Sequence, residues 1–219
     1  MTDRMPSIAT MREGSPMSAL PGRCRLTTLF VDIAGSTSLL IHHPPEAVLG
    51  VVQCFLGLVS EVALVHGGKV KDYEGDGALL YFEKTRDAVT AAFAIQLALA
   101  QGRCDGACGG GPGVRARMSI TVGDVVVGVV GYSARQAIAL VGPSVNIGAR
   151  ILKQAPLSGI ITTREVVEVL RQEAPGLADE FELHDDAFAV PGASGATVTT
   201  YVSSELSRSR ARCSSAPCS

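Results

Sequence analysis

The sequence predicts an α+β domain with a β-α-β-β-α-β core. Three observations lead there. Residues 25–33, RLTTLFVDI, and residues 69–82, KVKDYEGDGALLYF, are rich in β-branched and aromatic residues and carry strand patterning, the second folded back on itself at Gly75-Asp76-Gly77. Two long apolar runs, 45–66 and 85–101, have helical spacing and separate the strand segments. A third strand segment, 114–131, follows the second helix and completes the unit.

Taken in order, residues 25–33 form a strand that ends at an acid, and Ala34-Gly35-Ser36-Thr37 is a turn. The helix over 45–66 opens at a Pro-Pro-Glu and closes at Gly67. The hairpin follows, then the Ala-rich helix TRDAVTAAFAIQLALAQ and a glycine loop over 102–113. VRARMSITVGDVVVGVVG reads as two strands with a break at Gly123-Asp124. AIALVG is a short strand and PSVNIGARILKQA a helix with Pro143 in its first turn. GIITT is a strand, and TREVVEVLRQ is a helix with Thr163 as N-cap. FELHDDAFAV and ATVTTYV close the chain as strands. The domain therefore spans 24–203, between a loose N-terminal tail, 1–23, and a Ser/Arg/Cys-containing C-terminal tail, 204–219.

Composition narrows the function. With 47% hydrophobic residues in 219, the chain can bury a sizeable core. A net charge of -2 argues against nucleic-acid binding through a basic surface, and the absence of Trp leaves few platforms for stacking bases. The run over 47–65 nearly reaches membrane-spanning length, but Gln53, Ser60 and Glu61 within it fit a buried helix better. No secretory signal precedes it, so the expectation is a cytoplasmic protein with reduced cysteines and no membrane partner. Cys104/Cys108 and Cys213/Cys218 do not have standard zinc-ligand spacing.

Three groups of residues carry candidate chemistry. Asp32 ends an apolar strand and precedes a small polar turn whose Ser36 and Thr37 region can offer amides to phosphate oxygens. Asp76 lies in the hairpin turn, and if the two strands are neighbours both carboxylates project at one sheet end. Such a pair suits Mg²⁺, which takes one or two carboxylates and fills its remaining positions with substrate phosphates. Asn146 and Arg150 stand four apart on one helix face, where an amide and a guanidinium can orient a ribose and neutralise a transferring phosphoryl group. Singly, each is common: acids populate turns, and Asn and Arg populate solvated helix faces.

Together, FVDIAGST, HGG, EGDGALLYF, a strand segment with Gly-Asp and GPSVNIGARI resemble the catalytic domain of the class III adenylate and guanylate cyclases over roughly residues 24–190. The resemblance implies a ferredoxin-like cyclase fold acting as a homodimer with active sites at the interface. It implies two Mg²⁺ or Mn²⁺ ions per site, held by Asp32, Asp76 and the Ile33 carbonyl. It further implies that Asn146 orients the ribose, that Arg150 stabilises the transition state, and that a nucleoside triphosphate becomes a 3′,5′-cyclic nucleotide and pyrophosphate. Metal-binding and transition-state residues come from opposite subunits in this family, and this chain carries both sets.

The base-reading positions depart from the family. Where purine cyclases carry Lys or Glu, four residues before the second metal Asp, this chain has Asp72; at the other base-reading position it has Ala139. Lys71 is one residue early, and alternation along a strand would turn it to the other face. Either Asp72 faces the base, or a local bulge turns Lys71 and Tyr73 towards it. The loss of both purine determinants, with a bulkier Tyr73 to fill space, resembles the stand-alone bacterial pyrimidine cyclases. That resemblance implies cUMP or cCMP as a second messenger in antiviral defence against phage, acting through a separate cyclic-nucleotide-binding effector protein. The competing expectations are an adenylate cyclase with a divergent base pocket and a non-catalytic dimerisation or nucleotide-sensing module.

Overall fold

The computed structural model of the protein describes residues 21–105, 113–132 and 134–203. Most of the N-terminal tail, the centre of the glycine loop with Cys108, and the C-terminal tail with Cys213 and Cys218 lie outside the described residues.

In chain order the elements are β1 (Gly22–Ile33), α1 (Ser36–His42), α2 (Pro45–Val65), β2 (Lys69–Glu74), β3 (Gly77–Phe82), α3 (Thr85–Ala100), β4 (Ala116–Tyr132), β5 (Arg135–Val141), α4 (Pro143–Ile151), β6 (Ile160–Thr163), α5 (Arg164–Glu173), α6 (Pro175–Ala178), β7 (Glu182–Ala189) and β8 (Thr197–Ser203). A one-turn 3₁₀ helix, Leu152–Gln154, prolongs α4. The sheet runs β2-β3-β1-β4-β6-β8-β7, with β5 paired to β4. The first four strands are antiparallel neighbours, while β6 lies parallel to β4. The β-α-β-β-α-β core and the α+β class are as the sequence predicts.

The alternation along β1 explains the layers. Leu29, Val31 and Ile33 face a core shared with α2, α3 and α5, through Phe55, Ile95 and Leu170 among others. Leu26 and Phe30 point to the opposite face and meet Leu79, Val125 and Val145 of α4. Among the described residues α2 is the one helix long and apolar enough to cross a membrane. Its Val51, Phe55, Val59 and Ala63 are fully buried in the core against the sheet.

Three sequence expectations need correction. β1 begins at Gly22, inside the segment assigned to the N-terminal tail. β4 does not break at Gly123-Asp124: it is one strand of 17 residues, paired with β1 straight through that point as Leu26↔Gly123 and Arg25↔Asp124. The glycine serves packing instead of turning the chain. A Cβ at 123 would sit 2.8 Å from Ser144 Oγ, so glycine lets the first turn of α4 lie on the strand. Ser36 and Thr37, expected in a turn, open helix α1 instead, whose seven residues include none that is fully buried and only Leu39 packed partly against the core. Thr163 does occupy the N-cap of α5, but its side chain makes no capping bond.

α4 is seated by polar pins. Thr121 donates from Oγ1 to the Ser144 carbonyl at 2.8 Å, and Ser119 donates from Oγ to the Gly148 carbonyl at 2.7 Å. Thr28 and Thr121 share a buried hydroxyl contact at 2.9 Å beneath them. Gly148 allows the close approach, since a Cβ there would meet Phe30 and Thr121 at 2.9 Å. Gly148→Ala should overpack this seat and cost about 1–3 kcal/mol in urea unfolding; an unchanged midpoint would refute the tight seating.

Candidate active site

Asp32 is the penultimate residue of β1, in the middle of a three-strand rung. Its Cα partners are Gly77 on β3 and Arg117 on β4. Asp76 immediately precedes Gly77, in the turn that joins β2 to β3, where Gly75 takes a φ of 63°. Antiparallel register thus brings the two acids to one sheet end. Gly77 leaves room for them, since a Cβ there would lie 3.0 Å from the Val31 carbonyl and 3.4 Å from Asp32 Oδ1. Asp32, Asp76, Phe30, Leu79, Glu74 and Leu152 line a cleft of about 260 Å³.

The electrostatics of this cleft are unbalanced. Burial, then the facing charge of Asp76, push the Asp32 carboxyl up to about 6, against weaker opposing pulls from the Ile33 N–H and Arg117. Asp76 Oδ2 is buried and has no hydrogen-bond partner among the described residues. Two inward carboxylates, one with an orphaned oxygen, are a donor set for a hard divalent cation. Ile33, buried at the end of β1, follows Asp32 directly. Ser36 and Thr37 open α1 just beyond, after Gly35 turns the chain with a φ of 82°. The Ala34 N–H anchors that turn to the Arg115 carbonyl at 2.8 Å.

Arg117 was missed in the sequence. It lies directly across from Asp32, and its Nε is buried without a partner. Period-two spacing from Ser119 and Thr121 along β4 was the signal that could have found it.

Asn146 and Arg150 share the outer face of α4, both exposed. They line a second cleft, of about 670 Å³, together with Pro143, Ile147 and the β7–β8 connection at Val190–Val198. Gly192 of that connection passes so near Arg150 that a Cβ there would lie 3.6 Å from its guanidinium. Neither acid lines this cleft, and neither Asn146 nor Arg150 lines the first.

The upstream half of the hairpin holds the main surprise. Val70 pairs with Leu80 but Asp72 pairs with Leu79, so Lys71 is an extra residue in a β-bulge. The bulge resets the alternation: Asp72 shares its register position with Leu79, which packs with Leu26 and Val145 on the α4 side of the sheet, and Tyr73 shares its own with Ala78, which belongs to the core beneath α2 and α3. Ser60 on α2 donates to the Leu56 carbonyl at 2.7 Å, so the 2.8 Å contact between Ser60 and Tyr73 has the tyrosine hydroxyl as donor. A bulge is therefore present, as one expectation required, but it does not turn Lys71 and Tyr73 inward together. Tyr73 is tied to α2. Lys71 reaches the Asp72 carboxylate at 3.2 Å. That bond, with the Tyr73 N–H and the ammonium charge, holds Asp72 below the usual carboxylate range. Ala139, on β5 opposite Gly128, is half-buried.

A raised Asp32 has a definite linkage. Between about pH 4 and 6 the folded state holds a proton on Asp32 that the unfolded chain has lost, so this group makes metal-free stability fall as pH rises through that window. A cation displaces that proton, so Mn²⁺ affinity should climb as pH rises towards about 6 and level off above it. Asp32→Asn should raise the metal-free melting temperature at pH 7.5 by a few degrees, on the order of 2–5 °C, and abolish stabilisation by Mn²⁺. Thermal melts with Mn²⁺ and with chelator check both; a variant still stabilised by Mn²⁺ would remove Asp32 from the site.

Residues 23–204 match the family described as the adenylate and guanylate cyclase catalytic domain. Adenylate cyclase 1 of Rhizobium meliloti is 29% identical over 136 residues, which is 59% of this chain and 20% of that protein. The chain spans about a quarter of the length of several curated mycobacterial relatives that it matches at 29% identity. Among solved structures, the adenylyl cyclase CyaB from P. aeruginosa superposes with a TM-score of 0.72 at 24% identity, covering 84% of this chain and 95% of that one. The guanylyl cyclase Cya2 superposes at 0.71 with 25% identity, covering 84% and 93%.

Proposed function

Because this chain belongs to the adenylate and guanylate cyclase catalytic domain family, we propose that it converts a nucleoside triphosphate to a 3′,5′-cyclic nucleotide and pyrophosphate as a cytoplasmic homodimer. The observation that carries the reading is the split arrangement: opposed, under-satisfied acids in one cleft, and Asn146 with Arg150 in another. Neither cleft is a complete site for phosphoryl transfer. Two copies related by a two-fold axis would join the acids of one to the α4 face of its partner, twice.

Asp32, Asp76 and the Ile33 carbonyl would hold two Mg²⁺ or Mn²⁺ ions. When bound, these supply charge neutralisation to the triphosphate and acidify the ribose 3′-hydroxyl. The chain's own groups do the rest. The first-turn amides at Ser36 and Thr37 donate to triphosphate oxygens, and Arg117 adds a fixed positive charge beside Asp32. Asn146 orients the ribose so that its 3′-oxygen lies in line with the α-phosphorus. The new O3′–Pα bond forms as the Pα–O bond to the β-phosphate breaks, and Arg150 neutralises charge as it builds on the transferring phosphoryl group.

For the base, the favoured substrate is a pyrimidine nucleotide, UTP or CTP. The support is Asp72 where purine-reading members carry Lys or Glu, beside the small Ala139. The Lys71–Asp72 pair offers one donor and one acceptor, complementary to a uracil carbonyl and N3–H or to cytosine N3 and its amino group. The product would serve as a second messenger of antiviral defence through a separate effector, a role that rests on resemblance to the pyrimidine cyclases. An adenylate cyclase is the second reading, favoured by the curated relative of that name.

Purified protein with Mn²⁺, offered ATP, GTP, CTP and UTP separately, should yield cUMP or cCMP; exclusive cAMP would establish the second reading. Asp72→Ala with Lys71→Ala should change the ratio of kcat/KM between bases by about 10²-fold or more. Arg150→Ala should lower kcat by about 10²–10³-fold with little change in KM. Mixing inactive Asp32→Ala and Arg150→Ala proteins should restore about a quarter of wild-type activity, from heterodimers with one intact site. No turnover with any nucleotide would leave a non-catalytic module.

A further inference from the structure

The sequence invites pairing Cys104 with Cys108, four residues on, but the fold pairs Cys104 with a cysteine 50 residues away. Cys54 Sγ on α2 lies 2.7 Å from Cys104 Sγ, just beyond the end of α3. The approach is built into the backbone. Gly102 turns the chain with a φ of 79°, the Arg103 N–H returns to the Ala98 carbonyl at 3.2 Å, and the Asp105 N–H closes on the Gly102 carbonyl at 3.1 Å. The Arg103 carbonyl also accepts from Cys54 Sγ at 3.5 Å, and the Arg103 guanidinium reaches Glu61 on α2 at 3.4 Å. Cys104 is 1% exposed while Cys54 is half-buried, so a reagent in solution meets Cys54 first.

We propose that Cys54 and Cys104 form an oxidisable dithiol site, which closes to an intramolecular disulfide in reaction with a low-molecular-weight disulfide such as oxidised glutathione. In the first step the Cys54 sulfur attacks the small disulfide, forming a mixed disulfide and releasing one thiol. In the second step Cys104 loses its proton, attacks the Cys54 sulfur and expels the second thiol. Two protein thiols are oxidised to one disulfide and one small disulfide is reduced to two thiols, so atoms and electrons balance. Burial and the neighbouring Cys54 push the Cys104 thiol up to about 12, so Cys104 is protonated at neutral pH in the reduced form. The exposed member captures the oxidant and the buried member resolves it. The closed bond ties α2 to the end of α3, two elements that otherwise meet through side-chain packing and the Arg103–Glu61 pair.

The test uses the full chain, reduced and then incubated with oxidised glutathione, with non-reducing proteolysis and mass spectrometry. The expected result is a Cys54–Cys104 linked peptide, two thiols lost per chain, and a melting temperature raised by roughly 5–15 °C over the reduced form. Cys108→Ser should leave the link and the shift intact. Cys54→Ser should lose both, with its reduced melting temperature serving as its own reference. A Cys104–Cys108 link, a persistent mixed disulfide on Cys54, or an unmoved melting temperature in the wild-type protein would each overturn the proposal.

Discussion

Two like charges held close at one end of a sheet are the constraint around which the rest of this domain is arranged. Asp32 and Asp76 are brought together by the pairing of β1 with β3, and Gly77 removes the side chain that would separate them. Left alone the arrangement is unfavourable, as the raised Asp32 carboxyl and the orphaned Asp76 oxygen record. Such a site persists only when the surrounding scaffold over-determines it. Here the scaffold is the buried run Leu29, Val31 and Ile33 on one side of β1, locked against α2 and α3, with β3 and β4 fixing its register on both edges.

α4, which carries Asn146 and Arg150, is held by a different kind of force. α4 is short and buries Val145 and Ile151, so polar contacts add to its apolar anchoring. Hydroxyls on β4 pin its carbonyls, and glycines at 123 and 148 let it settle within reach of them. The result is a polar hinge-free seat from which Asn146 and Arg150 point outward. A helix pinned in this way presents a well-positioned outer face.

Much of this was legible in the sequence. The strand ending at Asp32, the hairpin around Asp76 and the apolar faces of α2 and α3 all follow from period and turn chemistry, which are local properties. What was not legible depended on neighbours. Gly123 reads as a breaker along the chain, yet its role is set by Ser144, twenty-one residues on. Arg117 looks like any charged strand residue until β1 lies beside it with Asp32 across the rung. Tyr73 carries no local sign of its partner, since its hydroxyl donates to Ser60 on α2, thirteen residues back. α1 left little trace because Leu39 alone packs partly against the core and none of its residues is fully buried.

The bulge at Lys71 has a consequence for how such a domain can change over time. In a plain hairpin, inserting a residue upstream of the turn reverses the sidedness of everything between the insertion and the turn, or shifts the turn itself. A bulge absorbs the extra residue where it stands, so Asp76 and its partner rung keep their places while the residues before them are redistributed between the two faces. The bulged segment and the acid in the turn sit on one short strand-turn unit, yet they are free to vary separately. The residues before the turn can change without displacing the acid that the turn holds.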